Sequence, residues 1–273
     1  MGPLLSLASA VCYGIVDFSG GILSRRASFT TVTFRGQLGG LALALAAALL
    51  MPARAVHPAD LLWGALSGLG SGTAMYFLNR GLSRGAMTVV VPLSAVTGVA
   101  LSVLCGVLLL GDRPDPSAWA GIALAVPALW FVAGGMAGAA RGAGDGLLAS
   151  AGVAVQYVAL GLAGPAAGLW PVVAGRAAAV LLLVPTTLRH RSPTLPPRLA
   201  AQALLVGAGA ALGLILYLLA AQRQLLTVAV VLASLYPALP VVLGLVFLHE
   251  RITARQGAGL LGAAAATVLL TVG

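Results

Sequence analysis

The sequence predicts an all-α membrane protein, ten transmembrane helices arranged as two inverted five-helix repeats. Three observations predict it. Hydrophobic residues make up 60% of the 273 positions, charged residues 8%, and 36 residues are glycine. That composition leaves too little polar surface for a compact globule in water and suits a bilayer. Apolar runs of about 20 residues, the length a helix needs to cross the hydrocarbon, recur along the whole chain. Finally, Gly111-Asp112-Arg113 followed by Trp119-Ala120-Gly121-Ile122 returns 138 positions later (251 − 113, 259 − 121). The second copy reads His249-Glu250-Arg251 followed by Gly257-Ala258-Gly259-Leu260.

The spans are expected at roughly 3–22, 30–50, 60–79, 86–110, 117–137, 145–163, 169–188, 199–220, 225–247 and 254–272. The first follows Met1-Gly2-Pro3-Leu4, which lacks the positive segment of a signal peptide, so its apolar run reads as a retained helix. In the second, Leu41 to Leu50 is continuously apolar, without the alternation of a barrel strand. The third carries Gly68-Leu69-Gly70-Ser71-Gly72, and the tenth carries Gly257-Ala258-Gly259-Leu260-Leu261-Gly262. Such small residues let helix backbones approach closely. Pro92, Pro127, Pro185, Pro237 and Pro240 fall within the fourth, fifth, seventh and ninth spans, where each removes a backbone hydrogen bond and permits a kink. Between the seventh and eighth spans, Leu188 to Arg198 is the longest polar stretch and reads as a loop.

The repeat divides the chain into residues 1–138 and 144–273, five spans each. An odd number of crossings per copy makes the second copy run in the opposite direction, with substrate expected near the midplane between the halves. All 15 basic residues are arginine. The loops after the odd-numbered spans hold Arg25, Arg26, Arg80, Arg84, Arg141, Arg189, Arg191, Arg198, Arg251 and Arg255. Those after the even-numbered spans hold Arg54, Arg113 and Arg223. Positive residues concentrate on the cytoplasmic side of membranes, so this bias places both chain ends outside. The arginines serve as topology signals at span ends, and no nucleic-acid partner is implied despite the net charge of +9. Heavy Ala, Gly, Leu and Arg usage points to a GC-rich, bacterial genome, and to the inner or plasma membrane as location.

Arg80-Gly81-Leu82-Ser83-Arg84-Gly85-Ala86-Met87-Thr88-Val89-Val90-Val91-Pro92-Leu93-Ser94 leads into an apolar helix, Gly111-Asp112-Arg113, and a Gly-containing helix. Its partner is Ala233-Ser234-Leu235-Tyr236-Pro237-Ala238-Leu239-Pro240, then an apolar helix, Glu250-Arg251-Ile252-Thr253 and Gln256-Gly257-Ala258-Gly259. Both stretches resemble the repeat of the EamA family in the drug/metabolite transporter superfamily, over essentially the whole chain. In the first copy Asp112 stands where the family usually has Glu and Thr97-Gly98 replaces Tyr-Pro. His249 and Pro240 replace the commoner Gly and Thr. The resemblance implies a ten-helix exporter or exchanger of small metabolites, amino acids or amphipathic drugs. It also pictures both termini in the cytoplasm, opposite to the arginine bias.

Ionisable groups within apolar spans are costly and carry the site expectations. Asp17 lies about five residues before the end of span 1 and Arg35 about five residues into span 2, so a helical hairpin sets them at similar depth. Either they form a salt bridge, or Asp17 faces a cavity, where it accepts a proton or a cationic amine, or it snorkels to the lipid interface or lies in a loop. Arg176 occupies the place in span 7 corresponding to Arg35, with no symmetric acid. It either snorkels to the interface or faces an aqueous cavity that takes a carboxylate. A cavity holding both Asp17 and Arg176 would suit a zwitterion. Further wall candidates are Tyr13, Tyr76, Asn79, Gln156, Tyr157, Tyr217, Gln222 and Tyr236, the tyrosines either lining a central site or anchoring at the interface. Thr88, Ser94, Thr97 and Thr227 are expected to bond back to their own helices. Asp112 and Glu250 are expected to cap the following helix and pair locally, with coupling-ion binding as the alternative.

Other classes fit less well. The chain contains no lysine, hence no phosphate-binding loop, and energy must come from a gradient or a partner subunit. Gly81-Leu82-Ser83-Arg84-Gly85 matches the Gly-x-Ser-x-Gly pattern but lies between two membrane helices rather than on a strand–turn–helix, so no enzyme is expected. His57, His190 and His249 lack metal-type spacing, and Cys12 and Cys105 read as packing residues. A symmetric channel would show polar rings or a filter. The expected partners are a small-molecule substrate, the lipid bilayer, and a proton or exchanged solute, with the chain acting as a monomer or homodimer and no cofactor or metal.

Overall fold

The computed structural model describes residues 2–111, 113, 115–134, 140–189, 195–221 and 236–272. Asp112, the joint at 138–139, His190, Arg191, Gln222, Arg223, Thr227 and the stretch Ala233 to Leu235 lie outside the described residues. Within them the chain forms α1 (Gly2–Arg26), α2 (Phe29–Leu50), α3 (Pro58–Arg84), α4 (Met87–Cys105), α5 (Pro116–Val132), α6 (Ala143–Gly161), α7 (Trp170–Arg189), α8 (Pro197–Ala221), α9 (Ala238–Phe247) and α10 (Ala254–Val272), and no strand. Six of these, α1, α2, α4, α6, α7 and α8, are long and apolar enough to cross a membrane, while α5 and α9 are shorter apolar helices.

Each helix starts and stops for a local reason. Pro58 opens α3 at a position where a missing N–H costs nothing, and His57 and Asp60 exchange the two hydrogen bonds of a capping box. Pro116 and Pro197 likewise open α5 and α8. α4 ends in one π-helical turn, Gly106–Leu110, closed by Gly111 in the left-handed region at φ 75°. Helices α4, α5 and α7 run on through Pro92, Pro127 and Pro185. Of the expected span 225–247, residues 225–235 lie outside the described residues; Tyr236 and Pro237 form a turn, and α9 follows from Ala238.

The packing is that of a bilayer protein. Leu4, Leu7, Val11 and Ile15 form an exposed stripe along α1, while Ser6, Ser9, Asp17 and Ser24 of the same helix are buried. Apolar side chains therefore face outward and small or polar ones inward, as expected where the solvent is hydrocarbon and helices associate by close packing. The tightest crossings are glycine contacts. A Cβ on Gly68 of α3 would overlap the backbone of Gly175 in α7, and one on Gly207 of α8 would overlap Gly36 in α2. A larger apolar cluster joins α4, α5 and α10 around Leu93, Val96, Leu129, Val132, Ala266 and Leu270.

Connections gather at two ends. At one, the arginine-rich end, Arg25 donates from Nε to the Leu82 carbonyl (3.0 Å) and from Nη2 to the Gly85 carbonyl (2.8 Å), and Nη2 reaches Glu250 at 3.2 Å. Arg80, its guanidinium over the Phe77 ring, bonds Asp145 of α6 through Nε (2.7 Å) and Nη2 (2.6 Å). At the other end, Asp60 accepts from the N–H of His57 (3.0 Å) and of Gly164 (2.8 Å), and the Arg54 N–H donates to the Ala166 carbonyl (3.0 Å). Loops after α1, α3, α5 and α9 thus share one end, and those after α2 and α6 the other.

Glu250 corrects an expectation. It does not cap α10, which follows it; Thr253 and Gln256 do that by exchanging hydrogen bonds (3.0 and 3.2 Å). Instead its carboxylate accepts from the N–H groups of Met87 (2.9 Å) and Thr88 (3.0 Å) at the start of α4, and from the Thr88 hydroxyl (2.9 Å). A carboxylate there satisfies open amides and meets the positive end of the helix dipole. The Thr88 hydroxyl therefore does not bond back to its own helix.

Candidate functional site

Three of the polar groups that α1 turns inward, Ser9, Tyr13 and Asp17, recur every four residues and so share one face. Ser9 donates to the Gly213 carbonyl (2.7 Å), pinning that face to α8. Tyr13 and Asp17 reach a cavity of about 80 Å³ bounded by α3, α4, α6 and the Tyr236 turn. Ala74, Met75, Leu78, Val91 and Val153 supply apolar wall; Ser94, Gln156, Tyr157 and Tyr236 supply polar wall. The Tyr13 and Tyr236 rings stand 5.8 Å apart at 53°. Asp17 is 8% exposed, and among the described residues no hydrogen bond or ion pair reaches its carboxylate. A carboxylate so placed, at an apolar and aromatic surface, has the chemistry to take up a proton or an organic cation.

Beyond Gln156 lies a second, smaller chamber of about 10 Å³, walled by Ser67, Gly68, Ser71, Gln156, Leu160, Pro171, Val172, Gly175, Arg176 and Leu214. The Arg176 side chain enters it, 6% exposed, and its Nη1 donates to Gln37 Oε1 at 3.0 Å. Burial excludes the snorkelling alternative. Gln156 lines both spaces. Tyr13 packs with Tyr217 against Val172 and Leu214, so it too stands between them.

Tyr13, Asp17, Gln156, Tyr157 and Tyr236 therefore come together, with Arg176 in the adjoining chamber. Arg35 does not join them. It is exposed on the outer face of α2, and the Asp17–Arg35 salt bridge does not form, because the hairpin sets the residues at similar depth but on faces that point apart. Tyr76 stacks edge-on against Phe29 and Phe77, each at 5.3 Å. Asn79 is buried and donates to the Thr33 hydroxyl (2.9 Å), tying α3 to α2. Ser94 lines the main cavity, and the buried Thr97 hydroxyl has no hydrogen-bond partner among the described residues. Gln37 escaped sequence reading: it is polar within an apolar span, and its role appears only with a partner 139 residues away.

A family model described as the EamA-like transporter family matches the chain twice, over residues 1–134 and 146–272. The chain belongs to the EamA-like transporter family. Among solved structures, the fold of this EamA-family member is similar to a crystal structure of a protein 18% identical, with a TM-score of 0.61 over 99% of this chain and 96% of that one. No curated protein matches. Family and apolar helices together make the chain a multi-pass membrane protein of a transporter family rather than of an enzyme family.

Proposed function

We propose that this EamA-family protein is a secondary active transporter, an exporter or exchanger, for a small organic metabolite such as an amino acid or an amphipathic compound. It works by alternating access around the Asp17 cavity, in the inner or plasma membrane of a bacterium. Ten helices form two inverted repeats, 1–138 and 144–273, and the arginine-rich end faces the cytoplasm.

Helix contacts that occur in equivalent pairs support the repeat. α3 packs on α6 and α7, and α8 packs on α1 and α2; α4 packs on α6, and α9 on α1. The glycine crossings obey the same rule, Gly36 and Gly175 standing 139 residues apart (175 − 36), as do Gly68 and Gly207 (207 − 68). In that register Arg176 corresponds to Gln37 (176 − 37 = 139) rather than to Arg35. An interface related by such a swap can rock between two equivalent arrangements around a fixed midplane site.

The observation that carries the functional reading is the unpartnered Asp17 carboxylate in a small cavity between the halves. Asp17 lies about 14 Å from the Arg26 end of α1 at 1.5 Å per residue, roughly half the depth of the hydrocarbon. Ionisable groups at that depth mark solute or proton paths. The test is counterflow by purified protein in liposomes, without nucleotide, using labelled amino acids and amphipathic amines. Saturable counterflow is expected, reduced at least tenfold by Asp17→Asn. Well-folded protein that shows no saturable counterflow of any of these solutes refutes the reading.

A further inference from the structure

We propose that the small chamber at Arg176 is an anion subsite, taking one monovalent anionic group, the carboxylate of the carried solute or a free halide. It rests on the transporter reading only for the source of that anion. A guanidinium has five N–H donors and does not shed its proton in proteins, so it cannot escape burial by becoming neutral. Arg176 is buried, and among the described residues its one hydrogen bond goes to the neutral amide of Gln37, with no carboxylate in reach. The cation therefore stands within the span, about 9 Å from the Trp170 end of α7 at 1.5 Å per residue, with most of its donors and all of its charge uncompensated among the described residues, a condition relieved by an anion.

The chamber sets the size and direction of that anion. Its volume of about 10 Å³ admits one water-sized body. A chloride ion or one oxygen of a carboxylate fits; a phosphate with its three free oxygens does not. Ser67 and Ser71 line the chamber, and the Ser67 hydroxyl is already donated to the Gln156 carbonyl (3.0 Å). Gln156 lines both spaces and Tyr13 stands between them, so a solute in the Asp17 cavity reaches Arg176 with its acidic end only where these two side chains move aside. Asp17 lies one helical turn beyond Tyr13 on the side away from this chamber. An ammonium at Asp17 and a carboxylate at Arg176 thus belong to a guest whose charges are several bonds apart.

The experiment follows the thermal midpoint of detergent-purified, full-length protein, a readout independent of transport. The ligands are chloride against sulfate at equal ionic strength, acetate, and ω-amino acids from glycine to 6-aminohexanoate. Saturable stabilisation by at least one of these is expected. The half-saturating concentration should rise at least tenfold in Arg176→Gln and in Ser71→Val, which fills the chamber while keeping the charge, and stay within threefold in Arg176→Lys. Stabilisation by chloride and acetate alone assigns the subsite to a free small anion; a maximum at one chain length of ω-amino acid assigns it to the acidic end of the solute. Absence of any stabilisation, or stabilisation unchanged by Ser71→Val and Arg176→Gln, overturns the proposal. Should Arg176→Gln not fold, Ser71→Val decides alone. Loss of counterflow with retained, Arg176-dependent stabilisation would refute the transporter reading and leave the subsite standing.

Discussion

His249 adopts the left-handed backbone region at φ 52°, and Gly111, 138 positions earlier, does so at φ 75°. Glycine enters that region freely, whereas a residue with a Cβ is disfavoured by about 1–2 kcal/mol. Part of that is offset by the extra freedom glycine has when unfolded. Replacing His249 by Gly is therefore expected to stabilise the folded protein by about 0.5–1 kcal/mol, read as a raised unfolding midpoint by intrinsic tryptophan fluorescence in detergent; an unchanged or lower midpoint contradicts the strain assigned to this turn. At this scale the sequence was readable where chemistry is out of place. Asp17 and Arg176 stood out as charges within apolar runs, and both prove buried beside cavities. Pairing was not readable. Helical periodicity sets the face of Arg35 only once the packing of α2 is known, and α2 turns that face away from Asp17.

Among elements, glycine contacts separate two kinds of position that look alike in sequence. A Cβ on Gly36 would meet the Ala203 carbonyl oxygen at 3.6 Å, an ordinary contact, whereas one on Gly207 would overlap Gly36 itself. Gly36→Ala should leave stability within about 0.5 kcal/mol, while Gly207→Ala should cost about 1–3 kcal/mol through forced separation of α2 and α8. Comparison of the two midpoints checks this, and equal effects would refute the asymmetry. Glu250 offers a second test. Glu250→Ala leaves two amides at the start of α4 without their acceptor and is expected to cost about 2 kcal/mol, with Glu250→Gln costing less because one acceptor oxygen remains. No loss in Glu250→Ala would mean that water replaces the carboxylate at no cost. Composition and length marked nearly every helix, since hydrophobic runs need no tertiary information. Partners of loop acids did not emerge, because Glu250 serves an amide pair more than 160 residues away.

For the molecule as a whole, the arginines define a polarity. Arg25, Arg80 and the Arg141 backbone packed on Gly85 lie at one end, with Arg54 and His57 at the other. In a variant lacking Cys12 and Cys105, Arg26→Cys and Val56→Cys are expected to label from opposite sides of sealed vesicles, Arg26→Cys from the cytoplasmic side. Labelling of both from one side would break the alternation of α1 and α2, and exchange of the two sides would place the arginine-rich end outside. The 138-residue echo was legible because it lies in loop residues whose backbone geometry is demanding, and the family model matches the chain once over each copy of it. The cavity contents were legible only in part, since Gln156 and Tyr236 join Tyr13 and Asp17 from distant parts of the chain.

The cap that Glu250 places on α4 also has a meaning in time. A chain emerges from the ribosome in order, and Thr88 is made 162 residues before the acid that closes its amide. Until then the first turn of α4 waits at the membrane surface with water as its only acceptor. Docking of the segment that carries Glu250 is what seals that end, so a product truncated before residue 250 is left with an open helix start.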